Sequence, residues 1–323
     1  MAEIVPTFDL NRLPPAIVQL FAEDVTKSTE RAYRADLVHF VDWCNHHGHP
    51  PLPCTSLALV QFLTEHADGY SLSTVERRAA AVSWAHRKAG FLGPENPRNA
   101  PVVTEALRLL RRRHRAKRAK QAKALNVELV REAVLQCKAD KNPVAGLRDR
   151  ALILLGFAGA FRRSELVQLV VEDLEFVIQG VEVTLRWSKT DQEGRGQVKK
   201  IARGQVPATC PVNALRDWLN AANLRSGPIF RRVFKGGKIG AKALTSQAVC
   251  DVVKSRLLEV GVDDWNDFSP HSMRSGFASV AAENGASLQS IKGQGGWKSD
   301  RVALKYVRRR DEWDNAASYK LGL

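Results

Sequence analysis

Residues 147–169 read LRDRALILLGFAGAFRRSELVQL, an unbroken stretch of apolar and small residues with charge gathered at its two ends. Leu, Ile, Ala and Phe in such a run form a helix that is buried on most sides, so this segment marks the centre of a helical core. Downstream the period changes. Val181, Val183, Leu185 and Trp187 alternate with Glu182, Thr184, Arg186 and Ser188, the pattern of a half-buried strand. TDQEGRGQ then supplies a turn, and VKKIA can return as the second strand of a hairpin. Beyond Pro211 the pattern is helical again except for a short IFRRV stretch, residues 229–233.

Upstream the chain is also helical. From Ser28 to Cys44, Tyr33, Leu37, Phe40, Val41 and Cys44 recur at helical spacing, with Lys27, Arg31 and Arg34 off that stripe. Pro50, Pro51 and Pro53 interrupt, Thr55 or Ser56 can cap a second helix running to His66, and Ser71 or Ser73 can start a third ending at Gly90. In that third helix Thr74, Arg77, Arg78, Arg87 and Lys88 form a basic side opposite Val75, Ala81, Val82 and Trp84. Nine Lys or Arg residues and no acid lie between Arg108 and Lys123, a solvated face or a flexible basic linker that permits DNA contact in either form. Asn126 can cap the next helix, VELVREAVLQC, which puts the domain boundary near residue 124: 1–124 and 125–323.

The 323 residues are 44% hydrophobic and 26% charged, a globular balance that suits two domains, and no run reaches the ~18 apolar residues of a membrane span. The N-terminus has no basic start followed by an apolar stretch, so the expected location is the cytoplasm. Five scattered cysteines without a CxxC or a Cys/His cluster read as reduced thiols, and no metal or other cofactor is expected. A formal net charge of +15 favours a polyanionic partner, nucleic acid first and an anionic membrane surface second.

Three clusters carry groups suited to phosphodiester chemistry. Arg162 and Glu165 stand three apart, so the carboxylate can orient the guanidinium; taken alone such a pair is more often a surface ion pair. Arg163 adjoins Arg162, and a one-residue shift would exchange them. In SPHSMRSGFA, residues 269–278, His271 and Arg274 are one helical turn apart just after Pro270, near a helix N-terminus that favours anions. In GQGGWKSDRVALKYVRR a Gly-rich approach leads to Trp297, and Tyr306 lies among Lys305, Arg308, Arg309 and Arg310. A lone tyrosine there is more often a packing residue, but only four tyrosines exist, and Tyr319 is the other one near the C-terminus.

Arg162 with Glu165, Lys189, His271 with Arg274, Trp297 and Tyr306, in that order, resemble the signature of the tyrosine site-specific recombinases of the phage integrase family. GGWKSDRVALKY, residues 295–306, is similar to the Cre type in particular, with Trp297 where His is commoner, and KRAKQAKAL, residues 117–125, resembles the interdomain linker of that type. The resemblance covers nearly the whole chain and is strongest over residues 269–308. It implies a mainly α fold: a helical core-binding domain and an α-rich catalytic domain with a small antiparallel β-sheet, together a C-shaped clamp on DNA. It implies that Arg162 and Arg274 grip the scissile phosphate, with Glu165 orienting Arg162. His271 assists, Lys189 protonates the leaving oxygen, Trp297 donates to the phosphate and Tyr306 is the nucleophile. Lys27, Ser28, Arg31, Ser73 and Arg77 would face a major groove, as would Gln247 in the second domain, while Arg115, Lys117, Arg118 and Lys120 would contact DNA from the linker. The implied partners are double-stranded DNA with inverted-repeat sites and three further copies of the chain, a homotetramer on two duplexes, with 311–323 docking on a neighbouring protomer. The alternative within the same chemistry is an integrase, dimer resolvase or telomere resolvase. The alternative outside it is a DNA-binding relative without catalysis.

Overall fold

The computed structural model describes residues 25–114, 123–186, 196–307 and 318, and of Lys27 and Ser28 the backbone only. The chain divides into two compact units, Met1–Lys120 and Gln121–Leu323.

Among the described residues of the first unit are four α-helices: α1 (Lys27–His47), α2 (Ser56–His66), α3 (Leu72–Lys88) and α4 (Pro101–His114). Their starts follow from side-chain caps. Thr26, Thr55 and Ser71 each accept from a backbone N–H of the first turn, satisfying donors that a helix N-terminus leaves open. The core is Phe40 on α1, Leu59, Phe62 and Leu63 on α2, Val75 and Val82 on α3, and Leu107 on α4. Phe40 meets Phe62 edge-on at 5.0 Å. Two expectations fail here. Val41 is exposed, because the buried stripe of α1 runs through Phe40, Trp43 and Cys44. Arg78 does not belong to the basic side of α3. It is 2% exposed, with its guanidinium carbon 3.9 Å from the centre of the Tyr70 ring and Nε 3.7 Å from the buried carboxylate of Asp36.

The second unit is built on α6 (Pro143–Ala158), which is buried along most of its length, as its apolar composition requires. It packs against α5 (Val127–Gln136), α8 (Pro211–Ala221) and α10 (Pro270–Glu283). The polar end of α6 is buried too: Asp149 accepts from Arg148 Nε at 2.8 Å and from Arg256 Nη2 at 2.6 Å. Helix α7 (Arg163–Gln168) follows α6, then an antiparallel sheet of β1 (Leu174–Phe176), β2 (Gly180–Leu185) and β3 (Gln197–Ala202) in that spatial order. After α8 come β4 (Arg231–Val233), β5 (Ile239–Ala243), α9 (Ser246–Glu259), α10, α11 (Leu288–Gly295) and α12 (Asp300–Leu304).

Three features differ from expectation. The 147–169 segment is two helices broken at Gly159–Arg162, with Arg162 as the cap rather than an interior residue of the second helix. Strand β1 lies in the acidic stretch VEDLEF, residues 171–176, which carries no strand alternation in the sequence. The IFRRV strand has a partner, β5, in the Gly- and Lys-rich IGAKA, whose half-open, exposed face hides the alternation that marks a strand. Among the described residues no helix is long and apolar enough to cross a membrane. The expected docking helix at 311–323 lies outside the described residues apart from Ser318, as do Trp187 and Tyr319.

Candidate active site

The break between α6 and α7 creates the first part of the site. Ala160 adopts φ 47°, left-handed backbone that costs an alanine steric energy and that its fully buried surroundings must hold. The turn throws Arg162 out as the α7 cap. Glu165 then reaches back: Oε2 accepts from the Arg162 backbone N–H at 2.8 Å, and Oε1 accepts from Arg162 Nη1 at 2.5 Å. A Glu at the third helical position serving the cap residue's N–H is half of a capping box, so one side chain both starts α7 and aims a guanidinium. Arg163 points elsewhere, with Nη1 3.6 Å from Cys250 Sγ. That selects Arg162 as the partner of Glu165.

Helix α10 supplies the second arginine. Ser269 and Ser272 cap it reciprocally, Ser269 Oγ accepting from His271 N at 3.2 Å and Ser272 Oγ accepting from Ser269 N at 2.9 Å. Arg274, one turn in, is 1% exposed. Its Nη1 donates to the Ala160 carbonyl and its Nη2 to the Gly295 carbonyl at 2.7 Å, whereas Nε is buried with no hydrogen-bond partner among the described residues. Burial, reinforced by the nearby Arg162 charge, pulls the Arg274 guanidinium down to about 10. It stays cationic at neutral pH, with the Glu165 carboxylate offsetting part of that burial, the electrostatic condition of a site that can receive an anion. His271, on the same helix three residues earlier, is exposed.

Trp297 and Tyr306 close the arrangement. Helix α11 ends through Gly296 at φ 64°, and a Cβ on Gly295 would sit 2.1 Å from Trp297 Cζ3, so only the Gly-Gly pair lets the indole fold back against the helix end. Trp297 is 5% exposed, and its Nε1, like Arg274 Nε, is buried with no hydrogen-bond partner among the described residues. The rings of Trp297 and Tyr306 lie 4.8 Å apart at 34°. The Arg274 guanidinium carbon is 4.7 Å from the Trp297 ring centre and 5.8 Å from that of Tyr306. Tyr306 is half-buried just past α12, its backbone N–H donating to Ala303 O at 2.9 Å.

The structure thus brings Arg162, Glu165, Arg274, Trp297 and Tyr306 together, with His271 a helical turn from Arg274. Lys189 lies outside the described residues, as do Arg115, Lys117, Arg118 and Lys120. Arg31, Ser73 and Gln247 are exposed on α1, α3 and α9; Gln247 Nε2 donates to Asp251 Oδ1 at 2.9 Å. Arg77 is exposed, but its Nε and Nη2 donate to Asp36 at 2.7 and 3.1 Å. One residue escaped the sequence reading. Lys199 on β3 is 1% exposed and sits 4.0 Å from Glu165 Oε2. The signal was available: in VKKIA the inward position that Ile201 occupies also falls on Lys199.

Two arginines, one buried and one half-covered, beside unpaired buried donors and a tyrosine form a cationic site chemically suited to an anion such as a phosphodiester. A phage integrase family model matches residues 129–312. An integrase/recombinase xerD homolog of Selenomonas ruminantium is 37% identical over 290 residues, covering 90% of this chain and 84% of the relative. Recombinase cre of Escherichia phage P1 is 22% identical over 260 residues, covering 76% and 73%. A lambda integrase tetramer bound to a Holliday junction superposes with a TM-score of 0.59 at 17% identity, covering 92% of this chain and 76% of that one. The chain belongs to the phage integrase family and is a tyrosine recombinase, an enzyme of DNA recombination. Cre is among its relatives, but identity to the XerD homolog is higher, which broadens the expected Cre type to one that includes the Xer type.

Proposed function

We propose that the chain is a site-specific recombinase that cuts and rejoins DNA through a 3′-phosphotyrosine at Tyr306, carrying two inverted-repeat sites through a Holliday junction as a homotetramer. The observation that carries this reading is the cluster of Arg274, Trp297 and Tyr306 with two buried donors left open, Arg274 Nε and Trp297 Nε1. A nonbridging phosphate oxygen is the acceptor those donors lack.

Tyr306 Oη attacks phosphorus and the bond to the 5′ oxygen breaks. Arg162 and Arg274 bear the charge that grows on the equatorial oxygens, as preorganised donors do at a developing anion. His271 handles the proton of the nucleophile, and Lys189 supplies one to the departing oxygen. The phosphodiester energy is kept in the tyrosyl bond, so the reverse attack by a 5′ hydroxyl rejoins the strand. The domains 1–124 and 125–323 both bind the duplex, the first through Lys27, Ser28, Arg31, Ser73 and Arg77 and the basic linker, the second through Gln247.

The identity to the XerD homolog supports a second reading, an integrase or dimer resolvase with the same chemistry. Purified protein mixed with two DNA fragments from its native locus tests both. Recombinant joints formed by the protein alone fit the self-sufficient enzyme. Joints that need a second protein fit the resolvase. DNA that is bound and never exchanged contradicts both.

A further inference from the structure

We propose that Lys199 is a positioning residue of this active site, its ammonium pinning the turn that presents Arg162 to the turn that presents Trp297. The inference rests on the phosphotyrosine reading above and adds a residue to it.

The ammonium donates to the carbonyls of Gly159 at 2.7 Å, Ala160 at 3.4 Å and Gln294 at 2.8 Å. A protonated lysine has three N–H donors, and here the ammonium meets three backbone oxygens. Those oxygens belong to two separate segments: residues 159–160 follow α6 and lead into Arg162, and residue 294 lies in the last turn of α11 and leads into Trp297. Arg274 bridges the same segments through the carbonyls of Ala160 and Gly295. Lys199 and Arg274 therefore share the carbonyl of Ala160, the residue held at positive φ. Gln294 reinforces the seam, its Nε2 donating to Ala158 O at 3.2 Å and Lys200 O at 3.1 Å.

Placing an ammonium here is costly. Burial desolvates it, and although the Glu165 carboxylate 4.0 Å away favours the charge, Arg274 and Arg162 repel it, so the pKa falls to about 7. A methionine of similar length would fill the space without that cost. What a methionine cannot do is hold three carbonyls of two turns in one fixed geometry. Lys199 also stands ten positions after Lys189 in sequence, on β3, so fixing β3 fixes the chain that follows the proposed proton donor.

The test is the rate of covalent adduct formation on nicked native-locus DNA under single-turnover conditions, with DNA affinity measured in parallel. The proteins are the unaltered chain, Lys199→Met, Lys189→Met and Tyr306→Phe. Each is run on an ordinary scissile phosphate and on one whose bridging 5′ oxygen is sulfur, a leaving group that needs no proton. Lys199→Met is expected to bind DNA with unchanged affinity and to form adduct roughly 10²-fold more slowly, the loss that a misplacement of about 1 Å produces. The slowing is expected on both substrates, while sulfur restores Lys189→Met. An unchanged rate, or a loss confined to DNA affinity, overturns the proposal. Restoration of Lys199→Met by sulfur also overturns it, because Lys199 would then be delivering the proton itself. If Lys199→Met does not fold by circular dichroism, the partly exposed Gln294→Ala tests the same seam, and an adduct rate equal to that of the unaltered chain counts against it. Failure of the unaltered chain to form adduct on DNA it binds would instead refute the phosphotyrosine reading.

Discussion

Glu165 holds Arg162 at two points, through its backbone N–H at 2.8 Å and through its guanidinium at 2.5 Å, from a carboxylate that is 3% exposed. The same carboxylate is the nearest counter-charge to Lys199. Removing it would strand two cations that the fold has largely withdrawn from water. Glu165→Ala is expected to cost roughly 3–5 kcal/mol of folding stability, the range for breaking a buried pair from one side. Urea unfolding measures this, and a loss below about 1 kcal/mol, the value of an ordinary helix cap, would contradict it.

Trp297→Phe separates packing from hydrogen bonding. The indole N–H has no partner among the described residues, so the stability lost is expected to be only that of packing a smaller ring, with no hydrogen-bond term. If the N–H serves a phosphate oxygen, adduct formation should fall by roughly 10²-fold, the loss typical of one transition-state donor. Thermal melting and a single-turnover assay on the same preparation give both answers. Gly295→Ala is expected to act on the same residue by another route, since its Cβ would overlap the indole ring.

The pH dependence of stability follows from Lys199. Burial lowers its proton affinity from 10.5 to about 7 in the folded chain. Between those values the unfolded chain holds a proton that the folded chain has released, so this residue makes stability rise with pH across that interval. Below about 7 both states are charged and the benefit is absent. Denaturant unfolding of the unaltered chain and of Lys199→Met should therefore show the difference between them shifting in favour of the unaltered chain as pH climbs from 7 toward 10.5. A constant difference would mean that Lys199 keeps an ordinary proton affinity.

Affinity for DNA should be governed by salt. With a net charge of +15, neutralisation of about 8 phosphates gives a slope of roughly −7 for log K against log salt. Titrations at several salt concentrations measure it, and a flat profile would rule out phosphate contacts as the main source of affinity.

Much of this was legible in the sequence because the governing signals are local. Helix starts at Thr55, Ser71 and Asn126 follow from caps, β2 from alternation and β3 as the return of its hairpin. The proposed catalytic residues could be ordered along the chain because the residue types are rare and the motifs compact, and the fold brings Arg162, Glu165, Arg274, Trp297 and Tyr306 together. What was missed depends on tertiary contact. Arg78 reads as surface charge until Asp36 and Tyr70 enclose it. The break at Gly159–Arg162 is invisible in an unbroken apolar run, because the left-handed Ala160 is stabilised from outside by Arg274 and Lys199. Lys199 itself was hidden by the ordinary expectation that lysines face water.

The most direct measurement of the central claim is covalent trapping on nicked native-locus DNA, with the protein and its Tyr306→Phe variant resolved on denaturing gels and the modified peptide read by mass spectrometry. The expected result is a protein–DNA band from the unaltered chain, absent from the variant, with the nucleotide attached at Tyr306. A band that survives in Tyr306→Phe, or DNA bound tightly with no band from either protein, would contradict it.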